Sequence, residues 1–367
     1  MKQIHPIKKI YRQFYDKYDS FRHIVNSLKK KEFNELNLIF KEKALIYQER
    51  KRIRERNKFI ISNPKIYPKV GYVVSLDFHL RNKWLSAVTP YRINGIMNYF
   101  PSIVIETQKD YNKYKNKLDA LITTEMGWSA PIIKYNKTKP PLKYIEMSDP
   151  QKYPRKREKY FYNNHFSYVL GYYYYPTLYH MKNLPKEFLL HFPWSVPDQF
   201  VNLNEIRSAT QNYLMIFGAM NSEQYETRTW CKSFEFVRVS TNSGCRNKIF
   251  SDEDFFRWLI NFDAMIAAGS LDPKYQLVVP KYFEIASVGS LLFAQEAKDL
   301  PLLGFKDNKN CITFNKANFE ENAKEYLEYK NKDKYLIIRD AGRNLILQRH
   351  TLSKRLEFLK KHILDNL

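Results

Sequence analysis

A basic and an acidic residue three positions apart, Lys281 and Glu284, lie in the part of the sequence with the clearest chemical meaning. Gly289 follows them, and the pattern predicts a short helix over residues 281–288 and then a buried strand over 291–294. The first-turn amides of such a helix carry partial positive charge and Lys281 adds a full one, so a diphosphate can dock there. Glu284 lies on nearly the same face, where its carboxylate can accept hydrogen bonds from ribose hydroxyls. The alternative is an ordinary exposed ion pair on a helix.

A glycine and an arginine upstream, Gly218 and Arg228, have types and positions that suit the same ligand. Residues 213–217 predict a strand, Gly218 follows it directly, and Arg228 lies in the helix predicted next. Glycine at a strand end lets a ligand approach the backbone closely, and an arginine fork is preferred for a diphosphate. The alternative for Arg228 is a surface position on its helix.

The first half of the chain alternates predicted strands and helices. The strands are expected over residues 70–76, 102–105, 118–122, 142–145 and 166–170. Such alternation predicts an open parallel sheet with helices on both faces, whose ligands collect beyond the carboxyl ends of the strands. Asp77, His79 and Asp149 follow strands in this way. Each is a candidate catalytic residue, and the alternative for each is a cap or turn residue.

The amino-acid composition limits the class of binding partner but does not identify the partner. The chain has 367 residues, with 61 Lys+Arg against 38 Asp+Glu and a formal net charge of +23. This excess favours a polyanionic partner, which leaves nucleic acid, an anionic membrane surface and an acidic glycan open. A Lys-rich composition imposed by an AT-rich genome is the alternative. The sequence has no Gly-x-Gly-x-x-Gly motif, no Walker-type loop and no Gly-x-Ser-x-Gly motif. The absence of these motifs argues against a dehydrogenase, a kinase and a hydrolase.

Residues 210–365 resemble the C-terminal domain of the GT-B glycosyltransferases, and most closely the CgeB-like (spore maturation protein type) enzymes. The resemblance is carried by Gly218, Tyr225 and Arg228, by Lys281, Phe283-Glu284, Ala286, Gly289 and residues 291–293, and by Ala341-Gly342-Arg343, His350-Thr351 and Arg355. It implies an α/β fold of the GT-B type, with two Rossmann-like doubly wound domains that face a cleft. We expect a basic helical extension before them.

The resemblance also implies an activity, the transfer of a sugar from a nucleotide-sugar donor to an acceptor hydroxyl. The implied donor contacts are Gly218, Arg228, Lys281, Tyr282, Glu284 and Ser287. No metal or other cofactor is expected, because basic side chains and a helix N-terminus neutralise the leaving group in such enzymes. The chain departs from the retaining pattern, which places a Glu eight residues before the ribose Glu, since it has Gln276 there. The stereochemical outcome is therefore open.

We predict four parts: a basic helical extension (1–65), an acceptor domain (66–200), a donor domain (201–350) and a C-terminal helix (351–367) that crosses back to the first domain. Two long charged helices, 319–330 and 332–364, are expected near the end. Residues 1–62 contain 17 Lys+Arg against 7 Asp+Glu, which suits a docking arm for nucleic acid, anionic lipid or a protein, or simply a solvated helix face.

The sequence predicts a cytoplasmic protein. It has three well-separated cysteines, no apolar run long enough to span a membrane and no signal peptide. Peripheral contact with a membrane through the basic helices is also expected. The acceptor remains open among a glycan, a lipid-linked saccharide, a protein and modified DNA. The rival to an enzyme of glycan biosynthesis is a non-catalytic nucleic-acid-binding or scaffold protein that keeps the same fold.

Overall fold

The computed structural model describes residues 33–81, 88–124, 130–220, 222–240 and 252–367. The chain forms two compact units, Met1–Arg56 and Asn57–Leu367. The first described helix, α1 (Phe33–Ser62), begins in the first unit, where Arg52 pairs with Glu49 at 2.6 Å. Residues 1–32 of the predicted basic helical extension lie outside the described residues. Among the ranges just given, none of the helices combines the length and apolar character that crossing a bilayer requires.

Six of the described strands form one parallel sheet in the first half of the second unit. They are β1 (Val70–Val73), β2 (Ile103–Ile105), β3 (Ala120–Thr123), β4 (Leu142–Met147), β5 (Tyr168–Gly171) and β6 (Leu189–His191). Their order in the sheet is β2-β1-β3-β4-β5-β6. The α-helices described between them are α2 (Leu76–Arg81), α3 (Val88–Tyr99), α4 (Gln108–Tyr114), α5 (Pro154–Asn163) and α6 (Tyr174–His180).

A second parallel sheet follows in the second half of the same unit. Its described strands are β7 (Leu214–Ile216), β8 (Val237–Val239), β9 (Ala264–Ala267), β10 (Leu291–Gln295) and β11 (Ile312–Phe314), in the order β11-β10-β9-β7-β8. Its described α-helices are α7 (Glu226–Cys231), α8 (Asp252–Leu259), α9 (Lys281–Ser287), α10 (Phe319–Tyr329) and α11 (Asp333–Arg349). Every residue of β9 and β10 is buried, as a parallel sheet covered on both faces requires. The predicted pair of doubly wound sheets is confirmed.

The last helix, α12 (Leu352–Asp365), lies against the first half of the unit although it ends the chain. Tyr144 of β4 bonds to His362 with 3.1 Å between the hydroxyl and Nδ1, and the hydroxyl of Tyr168 donates to Asn366 at 2.9 Å. A Cβ on Gly95 of α3 would stand only 2.9 Å from Leu352, so the two helices pack closely. The chain therefore crosses from the second sheet back to the first.

The crossing point is fixed by backbone pairing and by a buried imidazole. Val196 bonds on both sides of Thr351, accepting from the Leu352 amide at 2.8 Å and donating to the His350 carbonyl at 3.0 Å. His350 Nε2 donates to the Leu303 carbonyl at 2.7 Å, which leaves Nδ1 to accept from Arg355. Burial lowers the pKa of His350 to about 3, so the ring is neutral and holds this tautomer.

Two predicted elements are wrong in their extent. The first strand, expected over 70–76, ends at Val73, and α2 begins at Leu76. The helix expected over 332–364 is two helices, because Thr351 is extended (φ −74°, ψ 161°) where it pairs with Val196. Tertiary pairing overrides the helical pattern of the sequence at that point.

Candidate functional site

Gly218 lies two residues beyond β7 and is the point on which two predicted cations converge. Its φ is +105°, in the left-handed region that favours glycine. A Cβ placed on it would stand 2.6 Å from Cε and 2.9 Å from Nζ of Lys281, and 2.8 Å from Nη1 of Arg228. The backbone conformation therefore requires glycine here, and a Cβ would also push aside the ends of two cationic side chains. Three residues predicted separately as donor contacts meet at this point.

Arg228 of α7 is a buried cation with a fixed position, since its side chain is only 2% exposed. Its Nε and Nη2 donate to the Ala268 carbonyl at 3.2 and 2.7 Å, and Nη1 donates to the Ala219 carbonyl at 2.6 Å. The guanidinium carbon also lies 4.4 Å from the centre of the Tyr225 ring. These contacts tie the guanidinium to the loops after β7 and β9. Arg228 is therefore a preset positive charge behind Gly218.

Lys281 supplies a second, half-buried cation at the first position of α9. Its Nζ lies 4.9 Å from the centre of the Phe217 ring. Burial and then the charge of Arg228 lower the pKa of Lys281 to about 8, while Glu284 acts in the opposite direction. Both charged groups lie within 3 Å of one point, the Cβ position of Gly218, so their like charges repel. An anion placed between them would relieve that repulsion.

Glu284 lies in the first turn of α9 and is 3% exposed. Its charge acts on Lys281, as the effect on the lysine pKa shows. The helix is only seven residues long, and Pro280 precedes it without a side-chain cap. A helix this short has few aligned peptide dipoles, so Lys281 and Arg228 carry most of the positive charge that the sequence assigned to the site.

Asp149 lies beyond the carboxyl end of a strand, where the sequence predicted it. It is two residues beyond β4 in the first half and pairs with Lys152, with 2.8 Å between Oδ2 and Nζ. Burial raises the pKa of Tyr225, the charge of Arg228 lowers it, and the charge of Asp149 raises it by a smaller amount. Asp149 stays a candidate base.

Comparison with known proteins gives the site its context. Residues 207–361 match a family model described as glycosyl transferase-like. No curated protein matches the chain significantly.

Among solved structures, HepE from Anabaena, in complex with UDP and glucose, is similar with a TM-score of 0.51 and 9% sequence identity. The match covers 82% of this chain and 100% of that one. The chain has the GT-B fold. A glycosyltransferase from Rickettsia africae ESF-5 is also similar, with a TM-score of 0.48, 12% identity, and coverage of 75% of this chain and 88% of that one.

The other two candidate bases occupy a different position in the GT-B fold. Asp77 and His79 lie on α2 rather than at a strand end, and Asp77 is in its first turn, where a carboxylate is favoured by the helix dipole. His79 is 7% exposed, and its Nε2 lies 3.2 Å from the side-chain oxygen of Asn94 on α3. Both residues follow the carboxyl end of β1, so each stays a candidate base, with a cap or turn residue as the alternative.

Two predicted donor contacts have hydroxyls that donate to backbone carbonyls inside the second half. Tyr282 is 1% exposed and donates to the Gln295 carbonyl at 3.2 Å, and its pKa is raised well above the usual range by burial. Ser287 is fully buried and donates to the Glu284 carbonyl at 2.8 Å. In this structure both side chains fix α9 in place, which holds Lys281 and Glu284 where they are.

A supporting residue, Gln295, was not identified from the sequence. Its Oε1 accepts from the Gly269 amide at 2.6 Å, and its Nε2 donates to Thr227 Oγ1 at 3.1 Å. The Thr227 amide donates to the Gly269 carbonyl at 3.1 Å, so β10, the loop after β9 and α7 are joined directly behind Arg228. A polar residue at the end of an otherwise apolar strand is the only signal that the sequence offers for it.

Gln276, at the position where retaining enzymes carry a Glu, donates to the Leu271 carbonyl at 3.0 Å within its own loop. Within the described ranges, no group of three or more His, Cys, Asp or Glu side chains is arranged to hold a metal ion.

Proposed function

We propose that this protein transfers a sugar from a nucleotide-sugar donor to an acceptor hydroxyl, with the donor bound at the second sheet. The observation that carries the proposal is the convergence of Lys281 and Arg228 on Gly218 inside a glycosyltransferase-like domain. Two cations beside a glycine backbone suit a diphosphate, which offers several anionic oxygens within a short span.

The nucleoside end of the donor is assigned to Glu284. Its carboxylate is buried one turn along α9 from Lys281, so a diphosphate at Lys281 would bring the ribose to it. A buried carboxylate accepts hydrogen bonds strongly because little water competes for it. We therefore assign Lys281 and Arg228 to the diphosphate and Glu284 to the ribose hydroxyls.

In the transfer step, the acceptor oxygen forms a bond to the anomeric carbon, and the bond from that carbon to the β-phosphate oxygen breaks. The departing nucleoside diphosphate keeps the electron pair, and Lys281 and Arg228 stabilise the charge that develops on it without a bound divalent metal. If the transfer inverts configuration, the proton of the acceptor hydroxyl goes to a base. Asp149 is our choice because it lies beyond the carboxyl end of β4, where ligands of a parallel sheet collect.

The relationship to the CgeB-like enzymes is also part of the proposal. It rests on the residues of α9 and on His350, Thr351 and Arg355, which here form the crossing point between the halves. The sugar is proposed to be a hexose or a pentose.

A thermal-shift screen against UDP, GDP, CMP, ADP and TDP, with and without Mg²⁺, tests the donor site. UDP belongs in the set because HepE was solved with it. A nucleotide at a hundredfold excess over its Kd stabilises the folded state by about 2.7 kcal/mol. We expect one nucleotide to raise the melting temperature without Mg²⁺, and the shift to be lost in Glu284→Gln.

Lys309→Ala is the matched control, because this exposed lysine lies in the same half outside the site. It should keep the full shift. If no nucleotide changes the melting temperature, or if Glu284→Gln responds like the control, the donor assignment is wrong. A non-catalytic polyanion-binding protein with the GT-B fold would then be favoured.

A further inference from the structure

A row of basic side chains runs from the residues just before α5 along the exposed side of that helix. It comprises Lys152, which precedes the helix, and Arg155, Lys156 and Lys159 within it, and it is called the basic stripe below. Lys159 follows Arg155 by four residues and Lys156 by three, so the three helical side chains share one side of α5. Glu158 and Phe161 are buried on the other side. The helix is therefore amphipathic, with three exposed cations.

The charge of the basic stripe is not balanced by its own helix. Glu158 is turned inward, where it accepts from the backbone amide of Asn183 at 2.9 Å and from its side-chain amide at 3.2 Å. Lys152 pairs with Asp149. Arg155, Lys156 and Lys159 form no ion pair with any residue that the structure describes. Like charges on adjacent helical turns repel, so the stripe favours an anionic ligand.

An exposed aromatic ring stands at the start of the basic stripe. Tyr153 is 73% exposed, and its backbone is left-handed, with φ 55° and ψ 48°. A bulky residue in this region costs on the order of 1 kcal/mol, and Tyr153 also precedes a proline, Pro154, which restricts its backbone further. Because so much of the ring is exposed, packing recovers little of this cost. An exposed strained aromatic beside unbalanced cations is typical of a binding surface.

The basic stripe begins at the carboxyl edge of the first sheet. Lys152 pairs with Asp149, which lies two residues beyond β4. Ligands of an open parallel sheet collect beyond the carboxyl ends of its strands. A ligand lying along the stripe would thus have one end beside the proposed base.

We propose that the basic stripe and Tyr153 bind the acceptor, and that this acceptor is an acidic glycan carrying repeated carboxylate or phosphate groups. The assignment rests on the proposed function. The cations of the stripe pair with the anionic groups, and the Tyr153 ring packs on the apolar face of one sugar. A single row of cations with one aromatic ring suits one flexible chain of two or three sugars. Single-stranded nucleic acid binding sites present several aromatic rings for successive bases.

The test measures binding of three labelled probes by fluorescence anisotropy at low and high salt. The probes are an oligogalacturonate hexamer, a glycerol-phosphate oligomer and, as the neutral control, maltohexaose. We expect one or both acidic probes to bind, and maltohexaose not to bind. The double variant Lys156→Glu/Lys159→Glu should weaken acidic-probe binding at least about tenfold at low salt, with a smaller effect at high salt because exposed charges are screened. The acidic probe that binds more tightly identifies the anionic group.

The matched control is Lys306→Glu/Lys309→Glu, which makes the same charge change at two exposed lysines in the second half. It should keep acidic-probe binding within about twofold of the unaltered protein. Equal losses in both double variants, or no binding of either acidic probe, would overturn the proposal. So would tighter binding of a single-stranded DNA 12-mer that depends on Lys156 and Lys159. The nucleotide thermal shift of the same samples reports separately on the donor site, so failure of one assignment is distinguishable from failure of the other.

Discussion

The two halves of the second unit present positive charge in opposite ways. Arg228 is 2% exposed, with its guanidinium bound by backbone carbonyls, whereas Arg155, Lys156 and Lys159 stand in solvent on α5. A buried cation acts at one point, at short range and with little screening by salt, while an exposed row acts through its summed field. The difference suggests a donor site built for one geometry and an acceptor surface built for a class of ligands.

The largest effect is expected from Gly218→Ala, which adds a Cβ at the point where the two proposed donor cations meet. The added Cβ requires a strained backbone and displaces Lys281 and Arg228. We expect nucleotide affinity to fall by at least about 100-fold and the protein to lose about 2–3 kcal/mol of stability. Isothermal titration calorimetry and thermal melts measure the two effects.

Gly95→Ala is the control for that variant, since its Cβ would also meet a side chain, Leu352, at 2.9 Å, but in the other half. It should leave nucleotide affinity unchanged. Normal nucleotide binding by Gly218→Ala would mean that the convergence on Gly218 has no part in binding the donor.

Lys281→Met should have the next largest effect, because it removes a charge while keeping an apolar stem beside Phe217. We expect nucleotide affinity to fall by about 30- to 100-fold, as the loss of a charge-assisted contact implies. The fold-loss should be nearly the same at 50 mM and 500 mM salt, in contrast to the losses caused by the basic stripe variants. A loss that disappears at high salt would remove the distinction between buried and exposed cations.

The pH dependence of nucleotide binding gives a smaller effect. Lys281 has a pKa of about 8 in the free protein, so it is charged below that pH and neutral above it. A bound diphosphate favours the charged form, and affinity should therefore fall as pH rises through 8, by up to about tenfold per unit. Lys281→Arg should lose this dependence, since arginine stays protonated. Titration calorimetry from pH 7 to 9.5 measures it, and a flat profile for the unaltered protein would contradict the assignment.

Tyr153→Gly should give the smallest effect. It should raise the stability of the protein and lower its affinity for the glycan. Glycine adopts φ 55° without strain, so the melting temperature should rise slightly, by an amount worth about 0.5–1 kcal/mol. Acidic-glycan affinity should fall by several-fold because the ring is lost. His165→Gly is the control, at an exposed left-handed residue (φ 53°) just after the same helix. It should leave glycan affinity unchanged, and a loss of glycan affinity equal to that of Tyr153→Gly would remove the role of the ring.

The two kinds of site also differ in how far the sequence reveals them. Four of the predicted donor contacts could be found from the sequence because local patterns mark them, namely a helix start, a strand end and a glycine. They are Lys281, Glu284, Gly218 and Arg228. The structure does bring Gly218, Arg228 and Lys281 together. Whether they and the other predicted donor contacts bind a nucleotide stays a prediction.

Other features depend on long-range packing that local patterns do not encode. The inward direction of Tyr282 is set by its bond to Gln295, and the break at Thr351 by pairing with Val196. The left-handed backbone of Tyr153 is contrary to its residue type and to the proline that follows it.

The return of α12 to the first half has a consequence for the order in which the molecule is completed on the ribosome. The strands of the first sheet are synthesised by His191, but the helix that covers part of that half, Leu352–Asp365, emerges only after the whole second sheet. Until then the α3 surface around Gly95 has no partner from α12. Domains generally fold as they emerge, so the half that is made first is finished last. Its nascent form therefore exposes apolar surface for as long as translation of the second half takes.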